Sequence, residues 1–362
     1  MNNWKNSKVS ERLGLSAPII QGPFGGGLSS VDLVAAVCEA GGLGSFGMYH
    51  LSAEEIHSTT HAIRQKTNRP FALNLWIPFE NSDASVISEQ EFGEYLKPLI
   101  PYFNELGLSL PTVPQRYIPR FDEQIEAVLA CRPAVFSFVF GIPKPDILGR
   151  CRELGIATLG TATTVEEALA LEQAGVDMIV ATGAEAGGHR VSFLRSAEDS
   201  LIGTFALIPQ VVDAVRIPVI AAGGIADGRG VAAAFALGAQ AAQIGTAFLG
   251  CKESGTSDIH RQKLFSKDAS HTALTRAFSG RLGRGIRNRY MDDFAAHQDS
   301  IAPFPIQNWL NGKLRKAATE AGREDLMCMW SGQAAALMVH HDAATLFRTL
   351  VRDTEARLKT FN

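Results

Sequence analysis

The sequence predicts one α/β domain of the (β/α)8 barrel class. Short segments rich in Val, Ile, Leu and Phe recur along the 362 residues, separated by amphipathic segments of helix length. There are eight such strand-like segments, the number that closes a barrel of parallel strands. The strand-like segments that end in glycine are spread along the whole chain rather than concentrated in a single glycine-rich motif, as they are in dinucleotide-binding open sheets. A doubly wound open sheet, which also uses glycine-terminated helices, is the alternative.

Each predicted strand is bounded by Gly, Pro or Asn. In chain order, strands are expected at residues 18–21, 42–46, 71–75, 134–138, 157–159, 178–181, 218–222 and 242–244. The predicted helices between them cover residues 30–40, 52–66, 142–154, 164–174, 207–215 and 228–237. Thr164 and Glu167 have the spacing of a capping box, in which each side chain accepts a hydrogen bond from the backbone of the other.

Two segments do not fit the repeat. Residues 78–132 are rich in proline and are predicted to form an insertion after the third strand, with at most two helices, that acts as a lid. Residues 253–324 are predicted to form a small helical subdomain over the barrel mouth. The barrel would then comprise residues 1–252 and 325–362. Its last helix, residues 333–359, would carry His340 and His341 side by side.

Composition argues against several classes of function. The net charge of −3 and the absence of a stripe of lysine and arginine argue against a nucleic-acid surface. The five cysteines are scattered, and no His, Asp, Glu or Cys cluster has metal-ligand spacing, so we expect neither disulfides nor a metal. We see no secretory signal or transmembrane segment and expect a cytoplasmic protein. Serine hydrolases and P-loop kinases are excluded because their motifs are missing.

The main local concentration of positive charge is at residues 281–289, which carry four arginines. Such a segment could contact an anion. A solvated loop with ordinary salt bridges is the alternative.

One strand, predicted to end at Ala181, runs into a loop of small residues that ends in His189. Imidazole titrates near neutral pH, so His189 can act as a base, a hydrogen-bond donor or a charge partner for an anionic substrate. A surface or helix-capping histidine is the alternative. Glu185, in the same loop, either ionises during catalysis or holds the loop through hydrogen bonds.

Glycines that follow the last two predicted strands indicate a phosphate site. Gly223, Gly224 and Gly245, with Thr246, would let backbone N–H groups approach an anion closely. In (β/α)8 barrels, the loops after the seventh and eighth strands are the usual place for such a site.

Other segments could complete a site for a flat ring system. Residues 21–27 offer a glycine-rich backbone surface, and Asn74 offers a donor and an acceptor to a heteroaromatic edge. An asparagine that satisfies backbone groups at the barrel end is the alternative for Asn74. Ser331 and Gln333 either help to close the phosphate site or cap a helix.

Taken in order, these motifs resemble the nitronate monooxygenases. The resemblance lies in residues 17–23, Asn74, and residues 185–190, 220–225, 243–246 and 330–333. Residues 192–194, 198–199, 201–210 and 285–290 resemble the class that oxidises propionate 3-nitronate. The chain departs from the family pattern at Phe24, Thr182 and Val191, where methionine, glutamine and glycine are common.

The resemblance implies a TIM barrel that holds noncovalent FMN. It implies oxidation of an alkyl nitronate, propionate 3-nitronate or similar, with O2 as the oxidant and a carbonyl compound and nitrite as products. His189 would be the catalytic residue. Together with the loops above, the resemblance places FMN against Gln21, Gly22, Pro23, Asn74, Thr182, Gly187, Gly188, Gly223, Gly224, Gln243, Ile244, Gly245, Thr246, Trp330 and Gln333.

Three other functions remain open. A flavin-dependent enoyl-acyl carrier protein reductase shares the barrel, the FMN site and an Ala-Gly-Gly-His loop, but it requires a nicotinamide donor. Related flavoproteins of secondary metabolism form a second group, and a non-catalytic barrel that binds FMN or a phosphosugar is the third. The expected partners are a nitronate or nitroalkane and O2, with no nucleic acid or membrane, and a homodimer is left open.

Overall fold

Eight parallel strands form a barrel in the computed structural model, which describes residues 4–78 and 87–360. The barrel strands, in their order around the sheet, are β1 (Ile19–Gln21), β9 (Ala241–Ile244), β8 (Val219–Ala222), β6 (Met178–Thr182), β5 (Ala157–Ala162), β4 (Val135–Val139), β3 (Phe71–Trp76) and β2 (Gly44–Gly47). A parallel bridge between Ile20 and Leu43 joins the two ends of the sheet. The predicted fold class and all eight predicted strands are confirmed.

A second sheet lies outside the barrel and is antiparallel. It contains β7 (Gly188–His189), β10 (Thr272–Thr275) and β11 (Gly283–Ile286), with β11 in the centre. This sheet brings the segment that follows the last barrel strand against the loop of His189.

The helices are α1 (Lys8–Leu13), α2 (Val31–Glu39), α3 (Ala53–Lys66), α4 (Glu89–Leu96), α5 (Ile100–Glu105), α6 (Phe121–Cys131), α7 (Pro145–Glu153), α8 (Val165–Gln173), α9 (Thr204–Ala214), α10 (Gly228–Ala236), α11 (Thr246–Leu249), α12 (Asp258–Leu264), α13 (Arg289–Ala295), α14 (Ile306–Glu320) and α15 (Ala343–Thr360). Helices α2, α3, α6, α7, α8, α9, α10 and α15 follow successive barrel strands. The six helices predicted between strands are among them.

Two layers of apolar side chains hold the barrel together. One layer lies between the strands and the surrounding helices. The other fills the barrel interior, where side chains such as Ile20, Val180 and Ile220 are fully or almost fully buried. Helix α1 adds Val9 and Leu13 to this interior cluster and thereby closes the end where strands begin. The sequence prediction missed α1, since six residues carry little periodicity.

The predicted capping box of α8 forms only in part. Thr164 Oγ1 accepts a hydrogen bond from the Glu167 N–H at 3.3 Å, as expected. The fully buried carboxylate of Glu167 turns away from the Thr164 backbone and accepts from the N–H groups of Thr163 at 2.7 Å and Phe193 at 2.6 Å. Glu167 therefore ties the start of α8 to the chain just after His189.

The last helix begins later than predicted. Residues 333–342 form turns around a short 3-10 helix, Ala335–Leu337. Helix α15 begins at Ala343 because the Asp342 side chain accepts from the Thr345 N–H at 2.8 Å. His340 and His341 therefore precede the helix rather than lying on it. Helix α15 packs against α10 and α2 and completes the ring of helices, which is the position predicted for it.

The two segments outside the repeat also differ from the prediction. Helix α6 packs against α3 and β3, so it belongs to the ring, and we place the insertion before Phe121. Its described part contains α4 and α5, while residues 79–86 lie outside the described residues. Residues 253–324 are not purely helical, because they include β10 and β11.

Candidate active site

A cavity of about 590 Å³ lies at the carboxyl ends of the barrel strands, the end at which barrels of this class carry active sites. Polar side chains from five strands line it: Asn74, Ser137, Thr161, Thr182 and Gln243. The Asn74 amide donates to Ser137 Oγ at 3.0 Å, which fixes its orientation. The volume is in the range typical of cofactor and ligand sites, about 300–1,000 Å³.

Glycines form one side of the cavity. Gly223 and Gly224 have φ of 96° and 70°, a backbone conformation that residues other than glycine rarely adopt. A Cβ at Gly187 would lie 2.5 Å from the Gly332 nitrogen, so the His189 loop packs directly on the chain after Trp330. Backbone, rather than side chains, therefore faces this part of the cavity.

His189 lies on β7 and lines the same cavity. Its Nε2 is 2.7 Å from Ser279 Oγ. The ring centroids of Trp76 and Trp330 are 5.1 and 5.0 Å from that of His189. Among the described residues, Nδ1 makes no hydrogen bond, whereas Nε2 contacts Ser279. The Nδ1 edge is thus the polar edge that His189 offers to a bound molecule.

Burial among aromatic rings lowers the pKa of His189 to about 3, and the positive charges of Arg281 and Arg315 contribute to this shift. The imidazole is therefore neutral at physiological pH. Of the roles considered for His189, this environment disfavours the charge partner and leaves the base and the neutral hydrogen-bonding group.

The depressed pKa predicts a loss of stability at low pH. An unfolded chain binds a proton at His189 below about pH 6.5, whereas the folded protein does so only near pH 3, so the free energy of unfolding falls as the pH decreases between these values. We expect a larger decrease from pH 7 to pH 5 in the wild type than in His189→Gln, measured by urea unfolding. Equal decreases would contradict the assigned shift.

Buried polar contacts hold the loop that carries His189. The Glu185 carboxylate accepts from the Thr204 N–H at 2.8 Å and from the Thr204 hydroxyl at 2.9 Å. Arg190 is almost fully buried and donates to the carbonyl oxygens of Gly183 at 2.6 Å and Thr182 at 3.0 Å. The structure therefore supports the loop-holding role of Glu185.

The arginine segment, residues 281–289, meets both expectations in part. Arg287 and Arg289 are exposed and form salt bridges with Asp292 and Glu105, as expected of a solvated loop, whereas Arg281 and Arg284 turn inward. Arg281 lies with its guanidinium carbon 3.9 Å from the Phe140 ring centroid and 4.4 Å from that of Phe304. Arg284 is buried in β11 and donates to the Ala184 carbonyl at 3.1 Å. These two arginines support the aromatic wall and the His189 loop.

Arg315, on α14, lines the cavity and was not predicted as a site residue. Its Nη2 donates to the Asn308 carbonyl and to Asn308 Oδ1, both at 3.2 Å. Among the described residues, no carboxylate forms an ion pair with it. A guanidinium with no anionic partner in a cavity wall is suited to bind an anionic group of a ligand.

Most of the predicted site residues meet in this cavity. The predicted residues in its wall are Gly22, Pro23, Asn74, Thr182, Gly187, Gly188, His189, Gly223, Gly224, Gln243, Gly245, Thr246 and Trp330. The three departures from the family pattern, Phe24, Thr182 and Val191, also line it.

Three predicted residues, with Ser331, lie elsewhere. The Gln21 side chain is buried and accepts from the Ser45 N–H at 3.0 Å, and Ile244 is fully buried in the core. The Gln333 side chain is exposed, although its N–H donates to the Glu185 carbonyl at 2.9 Å. Ser331 is fully buried and donates to the Gly332 carbonyl at 3.2 Å.

The described part of the chain offers neither a metal site nor a membrane-spanning helix. Residues 4–78 and 87–360 contain no group of three or more His, Cys, Asp or Glu side chains placed to hold a metal ion. Over the same ranges, no helix has both the length and the apolar character needed to cross a membrane.

Comparison with known proteins agrees with the geometry of the cavity. The family model described as nitronate monooxygenase matches residues 6–353. The chain belongs to the nitronate monooxygenase family. A probable nitronate monooxygenase of Staphylococcus aureus strain MRSA252 is 40% identical over 349 residues, which cover 96% of this chain and 97% of that protein. The resemblance seen in the sequence is thereby confirmed.

Two solved structures illustrate what this member of the nitronate monooxygenase family is similar to. A nitroalkane oxidase from Streptomyces ansochromogenes is 36% identical with a TM-score of 0.87, covering 98% of this chain and 99% of that chain. FabK from Thermotoga maritima is 27% identical with a TM-score of 0.76, covering 98% of each chain. The protein is an oxidoreductase whose family oxidises nitronates.

Proposed function

We propose that this enzyme holds FMN in the cavity and oxidises an alkyl nitronate, propionate 3-nitronate or similar, with O2 to a carbonyl compound and nitrite. His189 is the proposed catalytic residue. The observation that carries the proposal is that one cavity joins a glycine-lined surface, a set of polar strand ends and the neutral imidazole of His189.

The residues present fit FMN. A phosphate requires a close approach of backbone, which Gly223, Gly224 and Gly245 allow because no side chain intervenes. The polar edge of an isoalloxazine requires donors and acceptors, which Asn74 and Gln243 provide at the strand ends. Bound FMN would supply the redox chemistry, namely acceptance of electrons from the nitronate and their transfer to O2.

The protein supplies orientation and electrostatics. Trp76 and Trp330 flank His189 and give its ring apolar neighbours. Because His189 is neutral, the positive potential that attracts an anionic nitronate comes instead from Arg281 and Arg315, both of which act on the His189 site. His189 Nδ1 then holds the reacting group by a hydrogen bond or accepts a proton from a neutral nitroalkane.

An oxygen electrode and a nitrite assay test the proposal. Purified protein with FMN should consume O2 and release nitrite from propionate 3-nitronate with no pyridine nucleotide present. The FabK likeness makes a flavin-dependent reductase the alternative. NADPH oxidation with an enoyl thioester, and no nitrite from the nitronate, would support the reductase.

The position of Arg315 in the cavity wall predicts that the enzyme prefers nitronates that carry a carboxylate. Propionate 3-nitronate carries a carboxylate that ethyl nitronate lacks, and the Arg315 guanidinium is suited to pair with it. We expect Arg315→Gln to lower kcat/KM for propionate 3-nitronate by about 10–100-fold, since a hydrogen bond to a charged group contributes about 1.5–3 kcal/mol. The loss in kcat/KM for ethyl nitronate should be several-fold smaller.

The control for this prediction is Lys313→Gln, which removes an exposed charge from the same helix outside the cavity wall. It should alter neither substrate's kcat/KM appreciably. Equal losses for the two nitronates in Arg315→Gln would show that Arg315 does not recognise the carboxylate.

A further inference from the structure

A buried hydroxyl contacts the histidine from outside the barrel. Ser279 is fully buried in the turn before β11, and its Oγ is 2.7 Å from His189 Nε2. The same oxygen is 3.2 Å from the Arg281 carbonyl oxygen and 3.3 Å from the Arg281 nitrogen. Ser279 is thus placed to fix both the orientation of the His189 ring and the location of its proton.

The donors and acceptors around the Ser279 hydroxyl favour one arrangement of its hydrogen bonds. If the Ser279 hydroxyl donates to the Arg281 carbonyl, its oxygen accepts from the Arg281 N–H and from a protonated Nε2, and all three contacts are hydrogen bonds. If the hydroxyl donates to Nε2 instead, the contact with the Arg281 carbonyl is lost. The first arrangement satisfies more buried groups, and such groups are costly to leave unpaired.

We propose that Ser279 is a positioning residue that holds His189 in the Nε2–H tautomer, so that Nδ1 presents its lone pair to the cavity. The inference deepens the proposed function and rests on it for the role of His189. The tautomer itself is measured without substrate or FMN, so the two can fail separately.

This arrangement determines what Nδ1 can do. With a neutral nitroalkane, the α-proton would pass to Nδ1, the electron pair of the C–H bond would form the C=N bond of the nitronate, and the N=O π pair would move onto oxygen. The ring would then carry protons on both nitrogens, and Ser279 would still accept from Nε2. The new Nδ1–H would face the nitronate and donate to it.

Nitrogen NMR of the whole protein labelled with ¹⁵N-histidine tests the tautomer. The His189 signals are identified by their loss in His189→Gln. At pH 7 we expect the pattern of a neutral ring protonated at Nε2. In Ser279→Ala, the two nitrogen signals should shift toward each other as the Nδ1–H form becomes populated. Ser254→Ala serves as the matched control and should leave the pattern unchanged, because Ser254 is a buried serine whose hydroxyl bonds only backbone groups.

Three results would overturn the inference: an Nδ1–H ring in the wild type, an imidazolium ring at pH 7, or an unaltered pattern in Ser279→Ala. A merely structural role for Ser279 would not move the proton between ring nitrogens. If Ser279→Ala does not fold, Ser279→Cys serves in its place, because a thiol is a weaker acceptor of similar shape and should produce a smaller shift in the same direction.

Discussion

His189→Gln is expected to lower kcat/KM for propionate 3-nitronate by about 10²–10⁴-fold, the range typical of general acid–base residues. The glutamine amide reaches the position of Nε2, so the contact with Ser279 is retained. The glutamine side chain places no polar atom at the position of Nδ1, which faces the cavity in the wild type. The loss of rate therefore measures the contribution of Nδ1 rather than the collapse of the loop.

FMN binding separates this effect from a structural one. His189→Gln should retain FMN, since Glu185 and Arg190 hold the loop independently of the imidazole. His61→Gln, at an exposed position on α3, is the control and should behave as the wild type. If His189→Gln retained activity within a few-fold of wild type, the catalytic assignment would be wrong.

Gly245→Asp is expected to weaken FMN binding by about 100-fold or more. Gly245 lines the cavity, its φ is negative at −97°, and a Cβ there would be 3.8 Å from the nearest atom, on the Phe24 ring. The fold should therefore accept the side chain. Two unit charges about 4 Å apart near a protein surface interact by roughly 4 kcal/mol, and each 1.4 kcal/mol is tenfold in affinity.

Gly245→Asn is the matched control because it has the same shape without the charge. Its FMN affinity, measured by the quenching of flavin fluorescence, should be well above that of Gly245→Asp. Equal affinities in the two variants would show that the FMN phosphate does not bind beside Gly245.

The parts of the site that could be predicted from the sequence are those adjacent to barrel strands. Asn74 lies within β3, and Gly223 and Gly245 directly follow β8 and β9, so the position of each follows once the strands are assigned. His189 follows β6 after a short loop and could be placed for the same reason. The local hydrophobic periodicity and the positions of the glycines were sufficient to predict where these residues lie.

The residues that were missed come from other elements. Ser279 and Arg315 reach the cavity region from the segment after the last barrel strand, and Ser279 is 90 residues from its partner His189 in the chain. No local pattern encodes such a contact. Trp76 could have been found, because it lies two residues after Asn74 on the same strand and therefore on the same face.

The late start of α15 has a similar origin. The chain between Gln333 and Asp342 has helix-compatible composition, but the Gln333 N–H donates to the Glu185 carbonyl across the site. Asp342 caps a helix that begins ten residues after the predicted start. A tertiary contact therefore overrides local preference there. The same contact fastens the segment that carries Trp330 to the loop of His189.

The most direct test of the central claim is an absorbance spectrum of the FMN-loaded protein during anaerobic addition of propionate 3-nitronate. The proposed function predicts that the visible flavin absorbance falls with nitronate alone, and that it returns with release of nitrite when air is admitted. A flavin spectrum that does not respond to nitronate but is bleached by NADPH would contradict the account and indicate a reductase.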